Sequence, residues 1–463
     1  MQSIIGPPGT GKTYALEQRI KQDDKQYIYL TYNRSMAEVA RKRIGADEHV
    51  IGTFHSILSK HFHLIGGATG DFLLDSELED WCDSIGISYT TPADEEGYRA
   101  EMSDYQRFQQ YYDYFENMMI KPFQPEQERL AIPLLYDKYK AFKERLGKLD
   151  YTDILLRGSQ DELPYIPTLY VDEAQDNTPL MWKIIDRWPS DEKVYALDDE
   201  QTLYGYKGVN MKTTLAHVQN PEILKECRRY GPAIKTVAER IISPVRKIER
   251  DYKASGNSET GKYSLRNFLD LPGTKSILCR TNYLAREVAR TLNAPAKPIN
   301  REHGLGIGWT PLTFEMHDIS MRYPNLQKSE WELIVKHTPA NIWKRGTKRN
   351  AKLGTLSLEY FSSMQTPEWR NIVSLMNITD KQKHNLTRYA GKPINPVYID
   401  TIHSAKGLEF DHVLLASDKP LDMPFDAEEH RVLYVGVTRA RQSLDFHSFN
   451  VYADNYEMWR YFS

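Results

Sequence analysis

A chain of 463 residues is too long for one ordinary domain and has room for three or four cores. Hydrophobic residues make up 40% and charged residues 27%, and 60 basic against 63 acidic side chains leave the net charge near neutral. That balance excludes a protein that coats nucleic acid by bulk charge, so any such contact must be local. No apolar run approaches the roughly 18 residues of a membrane span, and residues 1–5 lack the pattern of a secretion signal. Cys82, Cys227 and Cys279 are scattered without a C-x-x-C pair, which indicates neither disulfides nor zinc. A protein without a membrane segment is expected, cytoplasmic in a bacterial or virus-infected bacterial cell, or nuclear if eukaryotic.

The first predicted element is a strand, Ser3-Ile4-Ile5, which runs into Gly6-Pro7-Pro8-Gly9-Thr10-Gly11-Lys12-Thr13 and then into the helical pattern Tyr14-Ala15-Leu16-Glu17-Gln18-Arg19-Ile20. Glycines let the backbone curl so that successive N–H groups face a phosphate at a helix N-terminus, where the dipole also favours an anion. Lys12 would reach the β- and γ-phosphates and Thr13 would ligate magnesium. Helical patterning follows in Tyr105–Tyr112 and Leu130–Leu146 and predicts an inserted helical subdomain whose aromatics pack against one another. The apolar strand Thr168-Leu169-Tyr170-Val171 then delivers Asp172-Glu173-Ala174-Gln175-Asp176. Asp172 is suited to hold magnesium, Glu173 to orient and deprotonate the attacking water, and Asp176 to a structural role. A phosphate loop and such a carboxylate pair together imply NTP hydrolysis. Toward the C-terminus, Trp309, Trp331, Trp343 and Trp369 and the basic run Lys344–Arg349 mark a second insertion. Its charges read either as a solvated face or as a DNA contact.

The Asp172–Asp176 stretch resembles motif II of superfamily 1 helicases of the UvrD/Rep type. Other stretches resemble that family's motifs in the same order. Tyr29–Ser35 is similar to motif Ia, Gly52–Ser56 to motif Ib, Asp150–Leu156 to the segment before motif II, and Asp198–Gly208 to motif III. Leu224–Arg229 stands in the place of motif IV, Ser276–Asn282 resembles the strand motif after it, Asp400–Phe410 resembles motif V, and Tyr434–Arg441 resembles motif VI.

The resemblance implies an α/β fold of two RecA-like parallel-sheet P-loop domains, each carrying a mainly helical insertion. It places the first domain at 1–60 and 140–215, its insertion at 61–139, the second domain at 216–300 and 395–463, and a small accessory insertion at 301–394. ATP and Mg2+ are the implied cofactors. Gly6, Pro7, Pro8, Gly9, Thr10, Gly11, Lys12 and Thr13 would hold the nucleotide with Arg228, Gly407 and Glu409, the last near the ribose. Thr13 and Asp172 would hold the metal. Glu173, Gln201, Arg229 and Arg439 would be catalytic, Gln201 as sensor of the γ-phosphate and the two arginines as fingers. Tyr32, Asn33, Arg34, Thr53, Phe54, His55, Tyr206, Thr401 and His403 would face DNA, with the aromatics Tyr32, Phe54 and Tyr206 as stacking candidates.

Arg228 stands where relatives carry a base-stacking tyrosine, and the five residues before Gly6 contain no adenine-reading glutamine motif, so relaxed base choice is expected. The implied activity is ATP-driven translocation on single-stranded DNA, 3′ to 5′, with duplex separation. Single strands, single-strand/duplex junctions and a replication or repair protein are the expected partners of a monomer. The alternative is a translocase that strips proteins from single strands or serves a partner without unwinding by itself.

Overall fold

The computed structural model describes residues 2–22, 25–66, 70–91, 102–203, 205, 208–209, 211–219, 221–292, 294–299, 305, 308–363, 367–417 and 426–448. Two six-stranded sheets organise them. The first contains β1 (Gln2–Ile5), β2 (Tyr27–Leu30), β3 (Ile51–Gly52), β4 (Thr168–Val171), β5 (Glu192–Leu197) and β6 (Glu222–Ile223), in the order β3-β2-β4-β5-β1-β6 with every pairing parallel. A short parallel pair, β7 (Glu226–Cys227) and β8 (Lys253–Ala254), follows. The second large sheet contains β9 (Glu259–Thr260), β10 (Lys275–Cys279), β11 (Ala296–Lys297), β12 (Val397–Thr401), β13 (Phe410–Ser417) and β14 (Ala440–Ser448). Its order is β11-β12-β10-β13-β14-β9, again parallel throughout.

Parallel sheets need cover on both faces, and the strand sequences supply it as continuous apolar runs. Successive side chains go to opposite faces. Ile5, Leu30 and Val171 join one core cluster, whereas Ile4, Tyr29 and Tyr170 join another. In the second sheet Leu278 and Val413 face one cluster while Ile277 and Leu414 face the other. The α/β expectation of two parallel sheets is therefore met.

The helices Asp75–Ile85, Asp104–Met118 and Ile132–Leu146 share a separate aromatic core around Trp81, Phe108, Tyr112, Phe115 and Tyr139. Residue 140, the expected junction of this insertion, lies inside the helix Ile132–Leu146, whose Phe142 still packs in the insertion core. Residues 311–388 form further helices around Trp331, Trp343, Phe361 and Trp369. The aromatic run of the first insertion is thus packing, as the patterning predicts, and the tryptophans of the second form a core as well. No helix among the described residues is long and apolar enough to cross a membrane.

The two lobes meet closely. Lys406, 6% exposed, donates to Asp176 Oδ2 at 2.5 Å and to the Gln201 carbonyl at 2.6 Å. Gly407 adopts φ +84°, a conformation that favours glycine, and a Cβ there would sit 3.3 Å from Met36 Sδ in the opposite lobe. Breaking a buried ion pair from one side leaves an uncompensated charge, so Lys406→Met is expected to cost about 3 to 5 kcal/mol of unfolding free energy. Urea melts check this, and Lys406→Met combined with Asp176→Leu should recover most of the loss.

Candidate nucleotide site and strand-binding face

β1 ends at Ile5, and the next residues curl back before the helix Lys12–Gln22 begins. Gly9 adopts φ +78°, and a Cβ on it would lie 2.4 Å from Arg229 Cβ, so only glycine lets the second lobe's arginine come this close. Lys12 Nζ donates to the carbonyls of Gly6 and Pro7 at 2.6 and 3.2 Å and stands 3.7 Å from Asp198 Oδ2. Burial lowers its ammonium pKa below the ordinary lysine value, while Asp198 and Glu173 pull the other way.

β4 delivers Asp172 to the same spot. Its Oδ2 accepts from Thr13 Oγ1 and from the Tyr29 hydroxyl, both at 2.8 Å. Burial, and then neighbouring Glu173, push its carboxyl up to about 6. Glu173 sits in the left-handed region at φ 53°, ψ 39°, and its carboxylate accepts from the Gln175 amide. Such backbone strain in a non-glycine residue costs about 1 to 3 kcal/mol and clusters at functional sites.

Groups from the second lobe close over this surface. The Arg228 backbone N–H donates to the Gly9 carbonyl at 3.0 Å, and the Cys227 thiol to that of Pro8 at 3.2 Å. Arg229 Nε donates to Glu409 Oε2 at 2.8 Å and its Nη1 to the Thr438 carbonyl at 3.2 Å. Arg439, 2% exposed, donates through Nη2 to Gln201 Oε1 at 2.7 Å, while Nε and Nη1 are held by the Val435 and Leu408 carbonyls at 2.9 and 3.2 Å. Burial, and then the charge of Arg229, lower its guanidinium to about 9. Gln201 Nε2 donates in turn to Asp198 Oδ2 at 2.7 Å. Gly6 to Thr13, Asp172, Glu173, Gln201, Arg229, Glu409 and Arg439 are therefore brought together. Arg228 is not, because its side chain is exposed and pairs with Glu226 at 3.3 Å.

The residues expected to face DNA divide differently. Asn33 caps the helix Arg34–Ile44 by accepting from the Met36 N–H at 2.9 Å, and Thr53 caps Phe54–His61 by accepting from the Ser56 N–H at 3.2 Å. Both are occupied as helix caps. Phe54 requires a correction as a stacking candidate: it is 3% exposed within the first-lobe core and offers no ring to a base. Tyr32 is half-buried against the second-lobe core, and Arg34 is exposed. Thr401 is 8% exposed and shares a hydrogen bond with the Ser404 hydroxyl at 3.0 Å; His403 is half-buried in the following turn. Tyr206 lies outside the described residues.

The motif reading passed over Tyr151. It is 66% exposed, stacked on Phe72 at 5.7 Å between ring centroids, with the His55 ring edge-on at 6.2 Å. These rings and Tyr32 line a cavity of about 700 Å³ between the first sheet and the helical insertion.

A strand–loop–helix phosphate cradle faced by guanidinium groups from a second lobe, itself built on a parallel sheet, defines a two-lobed P-loop protein of the RecA-like class. Family models then agree over most of the chain. Residues 2–221 match the UvrD/REP helicase N-terminal domain and residues 325–450 the UvrD-like helicase C-terminal domain. The chain belongs to the UvrD/Rep helicase family.

It is 24% identical to F-box DNA helicase 1 of Gallus gallus over 493 residues, covering 95% of this chain and 46% of that protein. It is likewise 24% identical to the ATP-dependent DNA helicase UvrD2 of Mycobacterium tuberculosis over 387 residues, covering 69% of this chain and 54% of that protein. The chain thus spans about half the length of these relatives. Among solved structures it is similar to an arterivirus nonstructural protein 10 helicase in complex with DNA, at 13% identity and a TM-score of 0.37, covering 100% of this chain and 63% of that one.

Proposed function

We propose that the chain is an ATP-hydrolysing motor that moves 3′ to 5′ along single-stranded DNA and separates duplex ahead of it, with domains bounded as the sequence implies except that the first insertion extends through Leu146. The observation that carries this reading is the hydrogen bond from Arg439 in one lobe to Gln201 in the other, 2.7 Å long and beside Lys12 and Asp198. A γ-phosphate entering between them draws both lobes onto one charge, and its loss releases them. Alternating grip on the strand then converts hydrolysis into movement.

The residues present fit a nucleotide with magnesium. Thr13 and Asp172, whose oxygens lie 2.8 Å apart, form a hydroxyl and carboxylate pair of the kind that suits this ion, which takes few protein ligands and completes its shell with phosphate and water. When bound, the metal neutralises charge on the β- and γ-phosphates. Lys12 binds the same oxygens, Glu173 accepts the proton of the attacking water, and Arg229 and Arg439 compensate the charge of the transferring group.

Among the described residues of the strand-binding face, Tyr151 is a ring with both exposure and support. Base stacking on an aromatic side chain contributes about 1 to 3 kcal/mol per base. Tyr151→Ala is expected to weaken binding of oligo-dT by that amount in fluorescence anisotropy, with unfolding free energy little changed. Phe54→Ala should do the reverse, costing about 3 to 5 kcal/mol in a urea melt as a core truncation.

The deciding experiment is strand separation on duplexes bearing a 3′ or a 5′ single-stranded tail, with Lys12→Ala as control. Separation from the 3′ tail alone, lost in Lys12→Ala, supports the motor reading. DNA-stimulated hydrolysis without separation favours the second reading, a translocase that clears proteins or serves a partner. The small helical insertion around Trp331 and Trp369 is the feature that favours that second reading.

A further inference from the structure

Between the helix Pro232–Ile242 of the second lobe and β8, the chain leaves its own lobe and leans on the other. Ile248 packs against the first-lobe core. Two residues later the Arg250 side chain, fully buried, enters the acidic turn after β5. Its Nη1 donates to Asp198 Oδ1 at 2.7 Å, its Nη2 pairs with Asp199, and Glu200 lies 3.9 Å away. Arg246 closes the far side, 2.5 Å from Glu200 and 2.7 Å from Glu239.

Asp198 is the junction of this cluster. One carboxylate oxygen takes Arg250, and the other takes the Gln201 amide at 2.7 Å and faces Lys12 at 3.7 Å. Lys12 and Gln201 are the groups that a γ-phosphate needs, and here both are turned toward a carboxylate. Burial alone would push Asp198 up, yet Lys12 and Arg250 hold it below the usual carboxylate range. Once Lys12 and Gln201 move to the phosphate, Asp198 keeps one cation. Were that cation missing, the carboxylate would hold Lys12 back and repel the incoming phosphate, at a distance where burial makes charge expensive.

We propose that Arg250 is a positioning residue for nucleotide hydrolysis: it compensates Asp198 from across the lobe boundary, and so frees Lys12 and Gln201 to engage the γ-phosphate. The inference rests on the reading of the phosphate loop given above. It adds that the crossing segment 246–250 is part of the nucleotide site although it touches no nucleotide.

The test is a double-mutant cycle, read as steady-state ATP hydrolysis with single-stranded DNA and as affinity for a fluorescent ATP analogue. Arg250→Met is expected to raise KM and the analogue Kd about tenfold, with a smaller fall in kcat, since a lost charge partner is felt first in binding the polyphosphate. Adding Asp198→Asn removes the charge that Arg250 answers and should return KM and Kd to within about threefold of the parent. A role in folding alone predicts no such recovery, because the Asn variant leaves Arg250's other contacts broken. If Arg250→Met does not fold, the same cycle is read with Arg250→Lys, whose single ammonium cannot span Asp198 and Asp199. Unchanged KM and Kd in the single variant, or equal losses in single and double, overturn the proposal. Absence of hydrolysis in the parent protein would instead overturn the motor reading, which separates the two failures.

Discussion

Arg439→Met is expected to lower ATP turnover about 10³-fold or more, the scale on which arginine fingers act in phosphoryl transfer, while leaving affinity for a non-hydrolysable analogue within about tenfold. The asymmetry follows from how the side chain is held. Its Nε and Nη1 are fixed by the Val435 and Leu408 carbonyls, so only the Nη2 edge is directed toward Gln201 and the phosphate site. A guanidinium anchored on two edges needs no reordering as charge develops on the transferring group, which is preorganised electrostatic stabilisation. Arg439→Lys should be nearly as inactive, since one ammonium cannot satisfy the two carbonyls and still reach the cleft. Single-turnover hydrolysis with separately measured analogue affinity distinguishes these effects. A loss of less than about tenfold in the chemical step would refute the role.

Glu173→Gln carries the next largest effect, a fall of about 10² to 10⁴ in the hydrolysis step, because the amide keeps the shape but cannot take a proton from water. Binding of the nucleotide should survive, and a long-lived ATP complex should accumulate in filter binding. The backbone adds a second arm to this prediction. Since Glu173 is held at φ 53°, ψ 39°, Glu173→Gly should lose hydrolysis equally yet be about 1 kcal/mol more stable than Glu173→Ala, glycine reaching that conformation without strain. Equal or lower stability in the glycine variant would mean that the conformation carries no stored strain.

What the amino-acid order disclosed, and what it hid, follows from range. The phosphate loop and the Asp172–Glu173 pair are local features, each a strand running into its loop, so spacing alone locates them. Asn33 and Thr53 are residue types favoured as helix caps, each just before an apolar-periodic run, a local signal that the motif reading did not use. Phe54 could not be sorted by sequence, because an aromatic ring beside a strand has the same letter whether it faces a core or a base. Tyr151 was passed over for the converse reason, as its support comes from Phe72, nearly eighty positions earlier in the chain. The lobe contacts were beyond reach. Lys406 and Asp176 are 230 residues apart, and Arg250 meets Asp198 on a crossing segment whose Ile248 packs on the opposite core.

The pairing of β6 beside β1 has a mechanical meaning for the two finger residues. β1 runs straight into the phosphate loop, and its neighbour β6, after Leu224 and Lys225, runs into Cys227, Arg228 and Arg229. The Arg228 N–H on the Gly9 carbonyl thereby ties the Arg229 backbone to the loop, while its guanidinium is held by Glu409 and the Thr438 carbonyl of the second lobe. Arg439 has no such tether and arrives on the far sheet. Of the two guanidiniums, one is bound to both halves and the other is carried by the far half, so a change in the angle between the lobes should displace Arg439 from the loop more than Arg229.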